Sequence, residues 1–228
     1  MDSMIFSASA HQPLIIDNPK LGYRINIILQ DFKLIYNPET YKSIRKGNKL
    51  KPEVEGAVYQ MLCNNHFIPY PSGKNWKQDQ IENARLRVYY GSRMHFLRAL
   101  YSGDPKEHGY LIRPEFRRDP SRRSRDVDTL HDIKISFLDP LGKAEKLLYY
   151  PEKSMVIQFF YDYSGRPVDL VHHKLTDLVP LQSELTFTSN KCIIRYNGTT
   201  FDYSMLFAGY IGERKISTLL PDDFMHDE

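Results

Sequence analysis

Apolar and polar positions along the chain change period several times, and each change marks an element. Residues 23–36, YRINIILQDFKLIY, are rich in β-branched and aromatic side chains and predict one long strand or two short ones. Asn37-Pro38 ends that element, because proline cannot donate to a strand ladder and drives its predecessor away from helix. The pattern over 39–47 fits a short helix closing at Gly47. Residues 52–66 start with a proline suited to a first helical position and have acids in the first turn. There Val54, Val58, Met61 and Leu62 follow a three-to-four spacing, which predicts a helix packed on a core. PYPSGKN at 69–75 is a turn or loop.

Residues 77–101 predict a helix of several turns with Gly91 as its weak point. At about 100° per residue, Leu86, Tyr90, Met94, Leu97 and Tyr101 fall within roughly 80° of arc. Arg87 and Arg98 flank one edge of that stripe, and Arg85 and Arg93 the other. Gly103-Asp104-Pro105 stops the helix. Residues 104–128 then lose apolar content, hold three prolines around a Ser-Arg-Arg-Ser-Arg core, and predict a mobile basic loop.

From 131 onward the pattern is that of strands. HDIKISF (131–137), KLLYY (146–150) and MVIQFFYDY (155–163) are separated by proline-bearing turns, and Ser164-Gly165-Arg166-Pro167 turns the chain again. ELTFT and KCIIRY flank Ser189-Asn190 as a two-residue hairpin, and Asn197-Gly198 is the strongest hairpin signal in the chain. Strands first, helices next and then a run of strands predict an α+β fold. In it a C-terminal antiparallel β-meander packs against the helices, within a single domain over 1–228.

Composition changes this picture little until it is divided by position. A length of 228 residues, 41% apolar, suits one domain or at most two small ones and excludes wholesale disorder. No run of 18 apolar residues is present, so no spanning helix and no membrane partner are expected. The cysteines, Cys63 and Cys192, are 129 positions apart and read as reduced thiols. With an N-terminus unlike a secretory signal, they suggest an intracellular protein, cytoplasmic or nuclear.

The formal net charge of +3 is uneven. Residues 81–125 hold eleven basic and five acidic side chains, a local +6, while the other 183 residues sum to −3. Ten of the fifteen arginines are here: Arg85, Arg87, Arg93, Arg98, Arg113, Arg117, Arg118, Arg122, Arg123 and Arg125. A guanidinium presents a planar fork of donors that fits phosphate, and Tyr89, Tyr90, Phe96, Tyr101, Tyr110 and Phe116 are interleaved to stack on unpaired bases. The expected function is therefore binding of nucleic acid, DNA or RNA, or of another polyanion through the helix and loop of 85–125. The plain alternative is a solvated surface whose charges pair with Asp104, Glu107, Asp119, Asp126 and Asp128. Phosphorylation at Ser121 or Ser124 would reverse the local charge. The acidic tail at 221–228, PDDFMHDE, is either a solvated end or a competitor for the same basic surface.

Other chemistry is weaker in the text. A nuclease of the (Asp/Glu)-x-Lys type would hold Mg²⁺ on two carboxylates while a lysine steadies the attacking water. Asp202, Glu213 and Lys215, or Asp17, Asp31 and Lys33, could build one, although the triplet occurs only four times against about two by chance. His172-His173, read as strand residues, point to opposite faces and cannot share a metal. His95 and His108 bracket the end of the basic helix, where a partly charged imidazole would add to polyanion binding. Cys63, read as helical, is a structural thiol rather than a nucleophile. Walker, Rossmann, nucleophile-elbow and paired Cys-x-x-Cys motifs are absent, so no nucleotide cofactor or zinc is implied. Tyr149, Tyr150, Tyr161, Tyr163, Tyr203 and Tyr210 could form one face of the meander, for cross-strand packing or for assembly into a homo-oligomer. The latter gives a third reading, a structural or interaction protein such as a viral or mobile-element assembly factor.

Overall fold

The β-branched run near the N-terminus becomes the centre of a sheet. In the computed structural model, which describes residues 4–36, 58–69, 78–114, 136–140, 145–149, 154–173, 178–189, 191–200, 204–212 and 218–224, the chain divides into units Met1–Ile81 and Glu82–Glu228. The first unit contains β1 (Met4–Ala8), β2 (Leu14–Asn18), β3 (Tyr23–Tyr36) and β4 (Val58–Pro69). The stretch over 23–36 is a single long strand. β4 pairs antiparallel along nearly all of β3, with a bulge between Leu29 and Asp31. β2 pairs with Tyr23–Ile27 and β1 with Phe32–Tyr36, so both share the edge of β3 opposite β4. Ile25 and Ile27 are fully buried and Ile28 is exposed, the period-two pattern of a sheet with one covered face. Tyr23 packs edge-on against Phe67 at 5.6 Å, a diagonal cross-strand pair.

The helix expected over 52–66 is corrected by β4. Val58, Tyr59, Phe67 and Ile68 favour a pleated surface, and β3 offers a full-length edge whose backbone groups need partners. The helical spacing of Val58, Met61 and Leu62 is too short a pattern to outweigh that edge. Residues 39–47 and 52–57 lie outside the described residues.

The helix expected over 77–101 is two helices, α1 (Gln78–Tyr89) and α2 (Arg93–Ser102). Gly91 breaks it, with φ at +70° in the left-handed region. Ser92 caps α2 by accepting the His95 N–H at 3.2 Å, and Gly103 ends it at φ 94°. Because the break resets the helical phase, the single stripe dissolves. α1 buries Ile81 and Tyr89, while α2 buries His95, Phe96, Leu97, Ala99 and Leu100.

The rest of the second unit is antiparallel: β5 (Tyr110–Pro114), β6 (Ser136–Pro140), β7 (Glu145–Tyr149), β8 (Ser154–Phe159), β9 (Leu181–Phe187), β10 (Lys191–Arg195) and β11 (Met205–Ala208), then a single turn, α3 (Gly209–Gly212). The orders are β11-β9-β8-β5 and β10-β7-β6. This is the α+β fold with C-terminal antiparallel strands packed on the helices. β8 and β9 bury alternate residues, and Met155, Ile157 and Leu185 join Phe96, Leu97 and Leu100 among the most deeply buried residues.

Two further expectations are corrected. The loop of 104–128 contains β5, because the short apolar run Tyr110-Leu111-Ile112 pairs with β8 and is buried. Residues 115–128 lie outside the described residues. Ser189-Asn190 does not close a hairpin: β9 pairs with β8 and β11, and β10 with β7, so the chain changes sheets there. Asn197-Gly198 does turn the chain, with Gly198 N–H donating to Arg195 O at 3.0 Å and Arg195 N–H to Thr199 O at 2.9 Å.

A Cβ on Gly91 would come 2.8 Å from Phe159 Cδ1 and 3.0 Å from Tyr210 Cε1, whereas one on Gly103 would meet nothing within 4 Å. Gly103→Ala should therefore cost only the left-handed backbone penalty of about 1–2 kcal/mol. Gly91→Ala should cost that plus a crowding cost of about 1–3 kcal/mol. Thermal unfolding of the two variants checks the order; equal losses would show that Gly91 is not the tight corner.

Candidate functional site

The arginines of the basic window separate into groups. Arg117, Arg118, Arg122, Arg123 and Arg125 lie outside the described residues. Arg113 is on β5, half-buried. On α2, Arg93 donates to Thr200 Oγ1 at 2.6 Å and lies over the Phe207 ring at 5.5 Å. Arg98 donates through Nε to Asn197 O at 3.0 Å, reaches Asp222 O at 3.5 Å and lies over Tyr89 at 5.4 Å. These two side chains tie α2 to the turn after β10 and to the C-terminal segment. Burial and the neighbouring Asp223 push the Asp222 carboxyl up, against the pull of Arg98, Arg195 and Arg93. Asp222, in the described part of the acidic tail, is thus within reach of the α2 arginines.

On α1 the arrangement differs. Asn83, Leu86, Arg87 and Tyr90 recur at i, i+3, i+4 and i+7, which places them on one helical face. That face forms one wall of a cleft of about 640 Å³. Opposite are Phe159 at the end of β8, Tyr161 and Tyr163 through Arg166, Leu181 and Tyr210. Five aromatic rings and two guanidinium groups line the cleft, with no carboxylate and no lysine among its lining residues.

The segment after β8 is held by its own polar groups. Tyr161 and Pro167 form an antiparallel bridge, and Asp162 N–H donates to Arg166 O at 2.9 Å. Asp162 Oδ1 accepts from Ser164 N–H at 2.8 Å, Ser164 Oγ at 2.7 Å and Arg166 N–H at 3.0 Å. These bonds, that of the Ser164 hydroxyl foremost, hold the Asp162 carboxyl below the usual range. Phe159 and Tyr161 stack with planes 14° apart and centroids 6.0 Å apart, and Tyr163 stands wholly exposed. Of the six tyrosines expected on one face, the cleft brings together Tyr161, Tyr163 and Tyr210. Tyr150 and Tyr203 lie outside the described residues.

Other candidates part company. Asp202, Glu213 and Lys215 lie outside the described residues. Asp17 is opposite Arg24, pairing with it at 2.6 and 3.0 Å, and that bond lowers its pKa. Asp31 pairs with Lys33 at 3.0 Å and lies seven residues beyond Arg24 on β3, about 20 Å along the strand. Asp17 and Asp31 therefore do not share a cation site. Among the described residues no three His, Cys, Asp or Glu side chains are grouped to hold a metal. Cys63 is on a strand, where burial pushes its thiol up, the reverse of activation.

The histidine readings also change. His95 is a core residue at 0% exposure, ringed by Tyr89, Tyr90, Tyr110 and Phe159 at 5.0–5.7 Å, and cannot reach a polyanion. Its Nδ1 accepts the Gly91 N–H at 3.2 Å, which places the imidazole proton on Nε2, and the Tyr110 hydroxyl lies 2.9 Å away. His172 and His173 are in a turn rather than a strand, and both fold back on Asp169.

Compared with known proteins, the chain matches no protein-family model, no curated protein and no solved structure. Among the described residues no helix is long and apolar enough to cross a membrane. The cleft therefore stands on its own chemistry. Arg166 is the member that the sequence pattern did not single out, since it lies 41 residues beyond the basic window. The turn signal Ser164-Gly165-Arg166-Pro167 located its backbone without suggesting its role.

The Asp169–His172 contact at 2.6 Å makes a pH prediction. The imidazole hydrogen bond holds Asp169 below its usual value, and the carboxylate raises His172 above 6.5. The aspartate's contribution is present above its unfolded value and lost as pH falls through the lowered one. The histidine's is present below 6.5 and lost as pH rises through the raised value. The pair is therefore fully formed only in mildly acidic solution. By NMR, His172 should titrate above 6.5, and Asp169→Asn should return its midpoint toward that value.

Proposed function

We propose that the chain binds nucleic acid, with phosphates going to Arg87 and Arg166. What supports the reading is that two exposed guanidinium groups, 79 residues apart in sequence, line one cleft together with five aromatic rings and no carboxylate. Guanidinium groups suit phosphate because two parallel N–H donors meet two oxygens, and phosphate contacts release counterions. The arginines of α2 contribute less to this surface than their number suggests, since Arg93 and Arg98 are already bonded to the turn after β10.

The reading is tested by salt-dependent binding of labelled oligonucleotides, followed by fluorescence anisotropy. Binding should be measurable at about 50 mM salt and weaken linearly on a log–log plot. Arg87→Ala with Arg166→Ala should reduce the magnitude of that slope by about 1.4–1.8, two phosphate contacts' worth, with the fold retained because both side chains are exposed. Absence of binding to every oligonucleotide at low salt overturns the reading.

A further inference from the structure

We propose that the cleft between α1 and the Tyr161–Arg166 turn is a single-strand site, in which an unpaired base stacks on Tyr163 and the adjoining phosphates go to Arg87 and Arg166. The inference rests on the nucleic-acid reading and adds the form of the ligand. Three observations carry it.

Tyr163 is wholly exposed, yet it sits on a turn tightened by the three hydrogen bonds to Asp162 Oδ1. A bare aromatic ring on a preformed segment loses little freedom when a flat partner covers it. Next, Phe159 and Tyr161 already stack in parallel, and both line the same cleft as Tyr163. Base faces of any identity can stack on such rings, which makes the site tolerant of sequence. Finally, the two cations have opposite origins, Arg87 from α1 and Arg166 from the turn. A strand whose bases enter the cleft would keep its backbone near both.

A duplex meets this site poorly. Its bases are stacked inside, so it offers the cleft only its backbone and leaves the rings uncovered. A free nucleotide shares the base and the phosphate but reaches fewer cationic contacts than a strand. The cleft's size, about 640 Å³, lies within the range of ligand sites.

The test uses the full chain with a labelled single-stranded oligonucleotide, the matched duplex, and a mononucleotide as competitor, all at one salt concentration. The single strand should bind at least about tenfold more tightly than the duplex, and the mononucleotide should compete only at far higher concentration. Tyr163→Ala should weaken single-strand binding by about 5- to 100-fold, leaving duplex binding and the salt slope unchanged. Tyr163→Phe should retain the affinity, because the ring face is kept. Unchanged melting temperatures in both variants would show that the exposed side chain does not hold the fold. Equal affinity for single strand and duplex, or no effect of Tyr163→Ala while the Arg87 and Arg166 variants still weaken binding, overturns the single-strand site and leaves the nucleic-acid reading standing. Competition by mononucleotide as effective as by the strand also overturns it, in favour of a free-nucleotide site. Failure of every oligonucleotide to bind removes both.

Discussion

The second unit depends on the corner at Gly91. Its N–H has left the helical ladder and donates instead to Nδ1 of the fully buried His95, one turn ahead on α2. The Tyr110 hydroxyl meets the same nitrogen, so β5 is fastened to the corner as well. A buried imidazole is costly unless its polar atoms are bonded, and here the bond to Nδ1 exists only because the helix breaks where it does. The corner also has no room for a side chain, since Phe159 and Tyr210 close over Gly91. One constraint thus sets the direction of α1, the packing of α2 and the floor of the cleft.

Once the helix is broken there, its arginines cannot act as one ridge. Arg93 and Arg98 turn toward the β10 turn, where a hydroxyl and a carbonyl receive them, and each lies over a ring, Phe207 of β11 and Tyr89 of α1. Arg87, ahead of the break, points with Tyr90 and Leu86 into the cleft. A local charge of +6 counts ionised groups but not their partners. The chemistry of a site depends on which of them the fold has already bonded.

The fold was legible wherever a residue pattern carried its own answer. The β-branched run at 23–36 needs no distant information to be a strand, and Asn197-Gly198 specifies its turn locally. Gly91 was visible as a weak point, though the reset of phase that follows it was not. β4 and β5 were misread for one reason seen from two sides. Both are stabilised by a neighbouring strand far away in sequence, β3 and β8, and neither neighbour can be inferred from the segment itself. The change of sheet at Ser189-Asn190 belongs to the same class. In the site, three of the six tyrosines grouped by their place in the meander, Tyr161, Tyr163 and Tyr210, do line one cleft. Arg166 was not legible, because its partner in the cleft is 79 residues away. His95 was misjudged because sequence shows a histidine among arginines, whereas the structure surrounds it with aromatic rings.

The acidic C-terminal segment completes the division of charge. Asp222 is near Arg93, Arg98 and Arg195, and Arg98 also reaches the main chain at Asp222. An external polyanion approaching that group would meet arginines already bonded to the chain, with the Asp222 carboxyl beside them. At the cleft the lining holds no carboxylate, and the nearby Asp162, which also feels the Arg166 charge, accepts three hydrogen bonds from the turn it closes. Both arginines of the cleft are exposed, Arg166 near the Asp162 carboxyl and Arg87 on the helical wall, and neither makes the bonds that hold Arg93 and Arg98 to the turn after β10. Position and partners, more than net charge, direct an anionic strand to the cleft.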